Sequence, residues 1–282
     1  MKVLLAGAFG HLGSDILRSL VNAKHEVIAA DVVVRDLDFD GFTPMQIDMT
    51  DSEKLKGCCD GVDVVITTVG LTKASEKVTA YDIDYGANKN LLDEAVRAGV
   101  KNFAYISVLK ASKGPHIPML GAKTMLEKAL KESGITYTIF RPTGYFYDVA
   151  HIFQPKVEKG KVTLLKTKTP VKCNVIDTTD FGDYIVEHMC DENKEYDVGG
   201  TETYTYEEIA KMFFAAAGKE PNISYVPAFM FDLIEMMAPK WKRGVIKFGK
   251  WTMTEDMVAE VHTGKLSFSE WIKDVYAKGL KF

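Results

Sequence analysis

The chain of 282 residues carries 35 Lys and Arg against 39 Asp and Glu, a net charge of −4, and 46% of its residues are hydrophobic. That length accommodates one large domain or two interlocked ones, and the lack of a strong block of one sign argues against a general nucleic-acid surface. No apolar stretch approaches the roughly 18–20 residues of a membrane span, and the short apolar run from Val3 stops at Gly7. Cys58, Cys59, Cys173 and Cys190 show neither CxxC nor zinc spacing, so reduced thiols, no metal, no membrane insertion and a cytoplasmic location are expected.

In chain order, residues 2–6 predict a strand, 11–23 an amphipathic helix and 26–31 a second strand ending on Asp31. The first strand and helix are joined by Gly7-Ala8-Phe9-Gly10-His11-Leu12-Gly13. Glycines there let the backbone turn tightly and approach a pyrophosphate, while the helix start offers N–H groups to phosphates. An acid at the end of the second strand accepts hydrogen bonds from the adenosine ribose and repels a 2′-phosphate. Asp31 therefore favours NAD, while Arg35, four positions on, keeps NADP open.

Residues 44–48 predict a third strand, with Asp48 and Met49 placed toward an adenine, and a short helix follows from Asp51. The almost wholly apolar run 62–69 predicts a strand covered on both faces, ending in Thr67, Thr68 and Val69 at the ligand edge of the sheet. A helix over 81–98, a strand over 103–108, a helix over 118–133 and a strand over 135–140 complete a strand–helix alternation. Such alternation predicts an α/β fold, a Rossmann-type doubly wound parallel sheet.

After Arg141 the rhythm changes to short strands (161–165, 174–176, 196–198) and helices starting near Thr179, Thr205 and Ala228. The expected organisation is a dinucleotide-binding domain over 1–144 and a smaller mixed α/β substrate lobe over 145–282, with the stretch 172–190 returning to the first sheet. Residues 226–238, rich in Met and Phe, read as a core-packing or dimer-facing helix, or as an apolar lid over substrate. Their acids argue against membrane contact. Trp241, Trp251 and Trp271 are expected to pack this lobe down.

These residues resemble the short-chain dehydrogenase/reductase superfamily in its extended or atypical branch. The glycine pattern is G-x-x-G-x-x-G. Ile83-Asp84-Tyr85 with Asn88, Asn90, Leu91 and Leu92 is similar to the family's helix before the active-site strand, and Tyr105-Ile106-Ser107 to that strand. The run from Ile139 through Arg141-Pro142-Thr143-Gly144-Tyr145-Phe146 resembles the Arg-Pro segment beside the nicotinamide. Asn174-Val175-Ile176-Asp177 and Tyr196-Asp197-Val198-Gly199-Gly200 resemble NmrA-like and divinyl-chlorophyllide-reductase-like members. The resemblance implies Pro142, Thr143 and Gly144 at the cofactor, and Ser107 and Lys123 in the active site.

Typical members carry Tyr-x-x-x-Lys, in which the tyrosine exchanges a proton with substrate. Lys123 matches the lysine, but Met119 stands at the tyrosine position. Tyr145 is the first candidate for the missing acid, with Tyr147, Tyr81 and Tyr85 behind it. Three readings stay open: a reductase delivering hydride to a small, apolar or conjugated acceptor; a non-catalytic dinucleotide-binding sensor or assembly protein; and an epimerase or dehydratase with retained nicotinamide. Lys123 also has an ordinary alternative, an exposed ion pair with Glu127 one helical turn away. A small-molecule substrate and a homodimer are the expected partners.

Overall fold

Strand β1 (Lys2–Ala6) is buried from its second residue onward, as a strand with helices on both faces must be. The computed structural model describes every residue except Thr72 and Ala74. A glycine turn leads from β1 into α1 (His11–Asn22), whose Gly13, Ile16, Leu17 and Leu20 recur at helical spacing on the buried face. Then come β2 (Glu26–Asp31), β3 (Phe42–Gln46) and α2 (Ser52–Leu55). Asp51 caps α2, accepting the Glu53 N–H at 3.1 Å. Strand β4 (Val64–Thr67) is wholly buried. A π-helical segment, Tyr81–Ala87, runs into α3 (Asn88–Ala98), and β5 (Asn102–Ile106), α4 (Pro118–Glu132) and β6 (Thr136–Pro142) follow. Pro118 opens α4, where its missing N–H costs nothing.

The remaining elements are α5 (Phe146–Glu158), β7 (Val162–Lys166), β8 (Lys172–Cys173), α6 (Thr178–His188), β9 (Lys194–Gly199) and β10 (Tyr204–Thr205). They lead to α7 (Tyr206–Ala216), β11 (Ile223–Pro227), α8 (Phe229–Met237), α9 (Lys240–Thr252), β12 (Val261–His262) and α10 (Phe268–Ala277). Thr205 and Glu208 form a reciprocal capping box at the start of α7.

Among the described residues the main sheet has eight strands in the order β12-β9-β6-β5-β4-β1-β2-β3. Its registered pairs are parallel, as a Rossmann-like doubly wound sheet requires. From β1 the chain winds out to β3, then returns to β4 on the other side of β1. The carboxyl ends of β1 and β4 therefore flank the switch point, where such sheets bind ligands. Two pairs stand apart, β10 with β8 and β11 with β7.

The chain forms two compact units: Met1–Arg141 with Phe181–Tyr196, and Pro142–Asp180 with Asp197–Phe282. One face of the first unit's sheet packs Leu4, Val65, Phe103 and Ile139 against Leu91, Leu92 and Leu126. The second unit has an aromatic centre, in which Phe146 lies 4.6 Å from Phe268 and 5.6 Å from Trp271 between ring centroids.

The structure differs from the sequence expectations at definite points. The stretch 174–176 is not a strand; Ile176 makes only an isolated bridge to Tyr145. The buried Asn174 side chain replaces a ladder there, accepting the Ala259 N–H at 3.0 Å and donating to the Gly200 carbonyl at 3.2 Å. The helix expected over 226–238 begins only at Phe229, after β11, and buries none of its residues, so it is not a core-packing helix. Helices α5, α9 and α10 were not anticipated. Trp251 is buried and Trp271 stacks on Phe268, whereas Trp241 is only half-buried.

Candidate functional site

The first unit gathers most of the candidate residues at the carboxyl edge of its sheet. Gly7 turns the chain with φ +78°, a conformation that L side chains rarely adopt. A Cβ on Gly7 would fall 2.5 Å from the Thr68 hydroxyl, and one on Gly13 would fall 1.9 Å from the Gly7 carbonyl oxygen. The glycines thus let α1 sit directly on the turn. Gly10 is the N-cap of α1, and no side chain caps it. The helix start keeps its positive end and its backbone donors for another acceptor. Phe9 is buried, whereas Gly10 and His11 are exposed and Leu12 is half-buried.

Asp31 stands beside this turn. Its carboxylate accepts the Phe9 N–H at 3.1 Å and faces the Val33 N–H at 3.4 Å. Arg35 is exposed on the segment that follows β2. Asp48 accepts the Thr50 hydroxyl at 2.7 Å and the Thr50 N–H at 3.0 Å, and these bonds hold its carboxyl below the usual range. Met49 is buried in the core, and its carbonyl accepts from Asn90 at 3.1 Å. Asp48 is thus held by its own turn and Met49 by α3.

The end of β4 is held by α3 and the π-helical segment. The Thr67 hydroxyl donates to Asn88 Oδ1 at 2.6 Å and accepts the Val69 N–H at 3.2 Å. The Asn88 amide donates back to the Val69 carbonyl at 3.0 Å and to the Ile83 carbonyl at 3.1 Å. Thr68 donates to the Gly7 carbonyl at 3.1 Å, tying β4 to the glycine turn. The threonine hydroxyls thus build the edge, and Val69 is fixed by Asn88.

Lys123 does not form the exposed pair with Glu127. Its side chain is only 12% exposed, and Nζ lies 3.3 Å from the Asp84 carboxylate, itself 1% exposed. It also donates to the Ile106 carbonyl at 3.4 Å and lies over the Tyr105 ring, 5.5 Å from its centroid. The second Asp84 oxygen takes the Leu71 N–H at 3.1 Å. A Cβ on Gly70 would meet Asp84 at 3.0 Å and Lys123 Nζ at 3.7 Å. The residue Gly70 therefore opens the edge over the pair. Asp84 sits in the π-helical segment, a distortion often found where a side chain is re-aimed for function. Burial, with Asp84 and Glu127 near, holds the Tyr105 phenol well above its usual range.

Glu127 is taken instead by Ser107 and Arg141. The Ser107 hydroxyl donates to it at 2.5 Å, and Arg141 meets it through Nε at 3.0 Å and a terminal nitrogen at 2.6 Å. Arg141 also reaches Glu195 at 2.5 Å, which Lys131 pairs from its other side at 2.6 Å. Ser107, 4% exposed, is thus committed to a buried carboxylate.

Met119 leaves α4 without an acid at the tyrosine position. Tyr81 touches α4 on another side: its hydroxyl is 2.8 Å from where a Cβ on Gly121 would sit, and Gly121, two positions from both Met119 and Lys123, does not share their face. Tyr81 is 42% exposed.

In the second unit, Pro142 and Thr143 are buried. The Thr143 hydroxyl donates to the Asn174 carbonyl at 2.8 Å, and Gly144, at φ +152°, offers its carbonyl to the Ile176 N–H at 3.0 Å. Burial, with a smaller contribution from Asp148, pushes the Tyr145 hydroxyl far above its ordinary range. It stays a protonated phenol rather than a poised acid. Among the described residues no group of three His, Cys, Asp or Glu side chains could hold a metal ion. Asp84 and Glu127 were not singled out as site residues by sequence reasoning. The signal for Asp84 was an acid one helical turn before Asn88 on the face that α3 buries.

The sequence matches the NmrA-like family over residues 1–271. It is 26% identical over 275 residues to the photosystem II assembly factor Ycf39 of Synechocystis sp., covering 96% of this chain and 79% of that protein. It is 25% identical over 270 residues to the chloroplastic divinyl chlorophyllide a 8-vinyl-reductase of Arabidopsis thaliana, covering 83% and 62%. Among solved structures, the triphenylmethane reductase of Citrobacter sp. superposes with a TM-score of 0.78 over 98% of this chain and all of that one, at 18% identity.

Proposed function

The chain belongs to the NmrA-like family, and on that premise we propose that it binds a nicotinamide dinucleotide and reduces a small, apolar or conjugated acceptor. The carrying observation is the buried Lys123–Asp84 pair, kept at the sheet edge although the tyrosine of the usual pair is replaced by Met119. The uncapped start of α1 and the Gly7–Gly13 cradle suit a pyrophosphate. Asp31 would hold the adenosine ribose hydroxyls, which favours NAD over NADP. Lys123, oriented by Asp84 and the Ile106 carbonyl, would donate to the nicotinamide ribose. The residues Asp48, Met49 and Val69 would complete the cofactor wall within the same unit. The reduced nicotinamide supplies a hydride when bound. Tyr81, exposed beside α4, is assigned the proton, whereas burial holds the Tyr145 phenol far above its ordinary range.

A second reading has its own support. Ser107 is locked to Glu127, and Met119 cannot donate a proton. A dinucleotide-responsive assembly protein needs the cradle but neither group, and the relative named an assembly factor covers nearly the whole chain. The same loss of the tyrosine disfavours the epimerase or dehydratase reading, whose chemistry must move a proton at an alcohol.

The two readings separate in one assay. NADH and NADPH are titrated onto the protein, then oxidation is followed with enones, quinones and triphenylmethane dyes. Turnover supports the reductase, and Tyr81→Phe then lowers kcat about 100-fold with unchanged NADH affinity. Tight binding with no oxidation on any acceptor transfers the proposal to the assembly reading. Turnover untouched by Tyr81→Phe removes Tyr81 as the donor.

A further inference from the structure

Helix α8 is anchored by its polar side. At about 100° per residue, Phe229, Met230, Leu233, Ile234, Met236 and Met237 fill one arc of about 160°. All six are exposed, from 40% at Met230 to 84% at Met237. Asp232 and Glu235 lie on the other arc, and α9 takes both: Lys250 approaches Asp232 to 2.5 Å and Lys247 approaches Glu235 to 3.4 Å. Arg243 reaches the Met236 and Ala238 carbonyls at 3.2 and 3.1 Å, where the helix dipole favours a cation. The acids that argued against membrane contact in the sequence are therefore spent on a neighbouring helix. The apolar arc is left outward, and a continuous apolar row of this kind marks a contact surface.

Charge selects the occupant. Residues 229–252 hold Lys240, Lys242, Arg243, Lys247 and Lys250 against two acids, a net of +3 in a chain whose net is −4. Lys240 and Lys242 are exposed and make no ion pair among the described residues. They stand just past Met236 and Met237, the most exposed end of the apolar arc. Trp241 lies between them, with the Lys242 ammonium 4.7 Å from its ring centroid. A symmetric dimer through this face would set one +3 patch against its own copy. An apolar arc, a tryptophan and free lysines together match the boundary between acyl chains and anionic headgroups. Among the described residues no helix is long and apolar enough to cross a bilayer, and α8 has nine residues, so the helix can lie on the surface but not span it.

We propose that α8 and the start of α9 dock this protein on the surface of an anionic lipid bilayer. The apolar arc lies in the headgroup–acyl boundary, and Lys240 and Lys242 engage the headgroups. The contact is independent of the dinucleotide reading.

Flotation with vesicles tests it. The protein floats with mixed phosphatidylcholine–phosphatidylglycerol vesicles at low salt, about tenfold less with phosphatidylcholine alone, and is released as salt rises. The double variants Met236→Ser/Met237→Ser and Lys240→Glu/Lys242→Glu each lower partitioning about tenfold, at an unchanged Tm because all four side chains are exposed. Absence of flotation at low salt overturns the proposal, as does equal binding to both vesicle types. A dimer in sedimentation equilibrium that Met236→Ser/Met237→Ser dissolves also overturns it, assigning the face to a second copy.

Discussion

Lys123 and Asp84 are both nearly removed from water, and each is the other's counter-charge. Burying two charges costs several kcal/mol, and the pair survives only while both partners are present. Lys123→Met should therefore lower stability by about 3–5 kcal/mol, because it strands the Asp84 carboxylate. Adding Asp84→Asn should restore most of that loss, since the amide keeps the Leu71 contact without the charge. Urea unfolding of the four proteins in this cycle measures the coupling; a double variant no more stable than Lys123→Met would mean that the two groups do not support each other. Lys123 was legible because its place in a family pattern is fixed by short spacing. Asp84 was not, because its partnership depends on how a π-helical segment is rotated against α4, which no local spacing encodes. The glycines were legible for the opposite reason: the lack of a Cβ at Gly7 and Gly13 is itself the structural instruction.

At the scale of elements, alternating apolar runs located β1 and β2 to the residue, because strands buried on both faces leave few polar positions. Strands β8, β10 and β12 have two residues each and carry no periodicity to read. Helix α5 has a proline at position 155 and aromatic residues on several sides, which masks its amphipathic pattern. Side chains rather than patterns also fix the turn between α6 and β9. There the Tyr196 hydroxyl and then His188 hold the Asp191 carboxyl below its ordinary 3.8, at 2.5 and 2.8 Å. A carboxylate with a depressed folded-state pKa adds stability above its unfolded pKa and loses it as the pH falls through the folded value. The stability gap between wild type and Asp191→Asn should thus be constant above about pH 5 and narrow below pH 4. Urea midpoints across that range measure it. A gap that widens on acidification would reverse the assigned sign; because Asp191 is partly exposed, the gap itself stays small.

For the whole molecule, the glycine cradle, Asp31 and the Lys123–Asp84 pair all lie in the unit formed by Met1–Arg141 and Phe181–Tyr196. A dinucleotide bound there stabilises the folded state by mass action, whether or not it is turned over. At a hundredfold excess of NADH over its Kd the gain is about 2.7 kcal/mol. For a chain of this size that raises Tm by about 5 °C or more. With Asp31 intact, NADH should shift Tm more than NADPH at equal concentration, because the carboxylate that now takes the Phe9 N–H repels a 2′-phosphate. Asp31→Ala should shrink the NADH shift and enlarge that of NADPH, with Arg35 exposed nearby to meet the phosphate. Thermal melts with both cofactors on both proteins give the four values. An unchanged order of the two shifts in Asp31→Ala would remove Asp31 from cofactor choice while leaving the cradle intact. The absence of any shift with either cofactor would remove the cradle as a dinucleotide site, and the reductase and assembly readings would fall together.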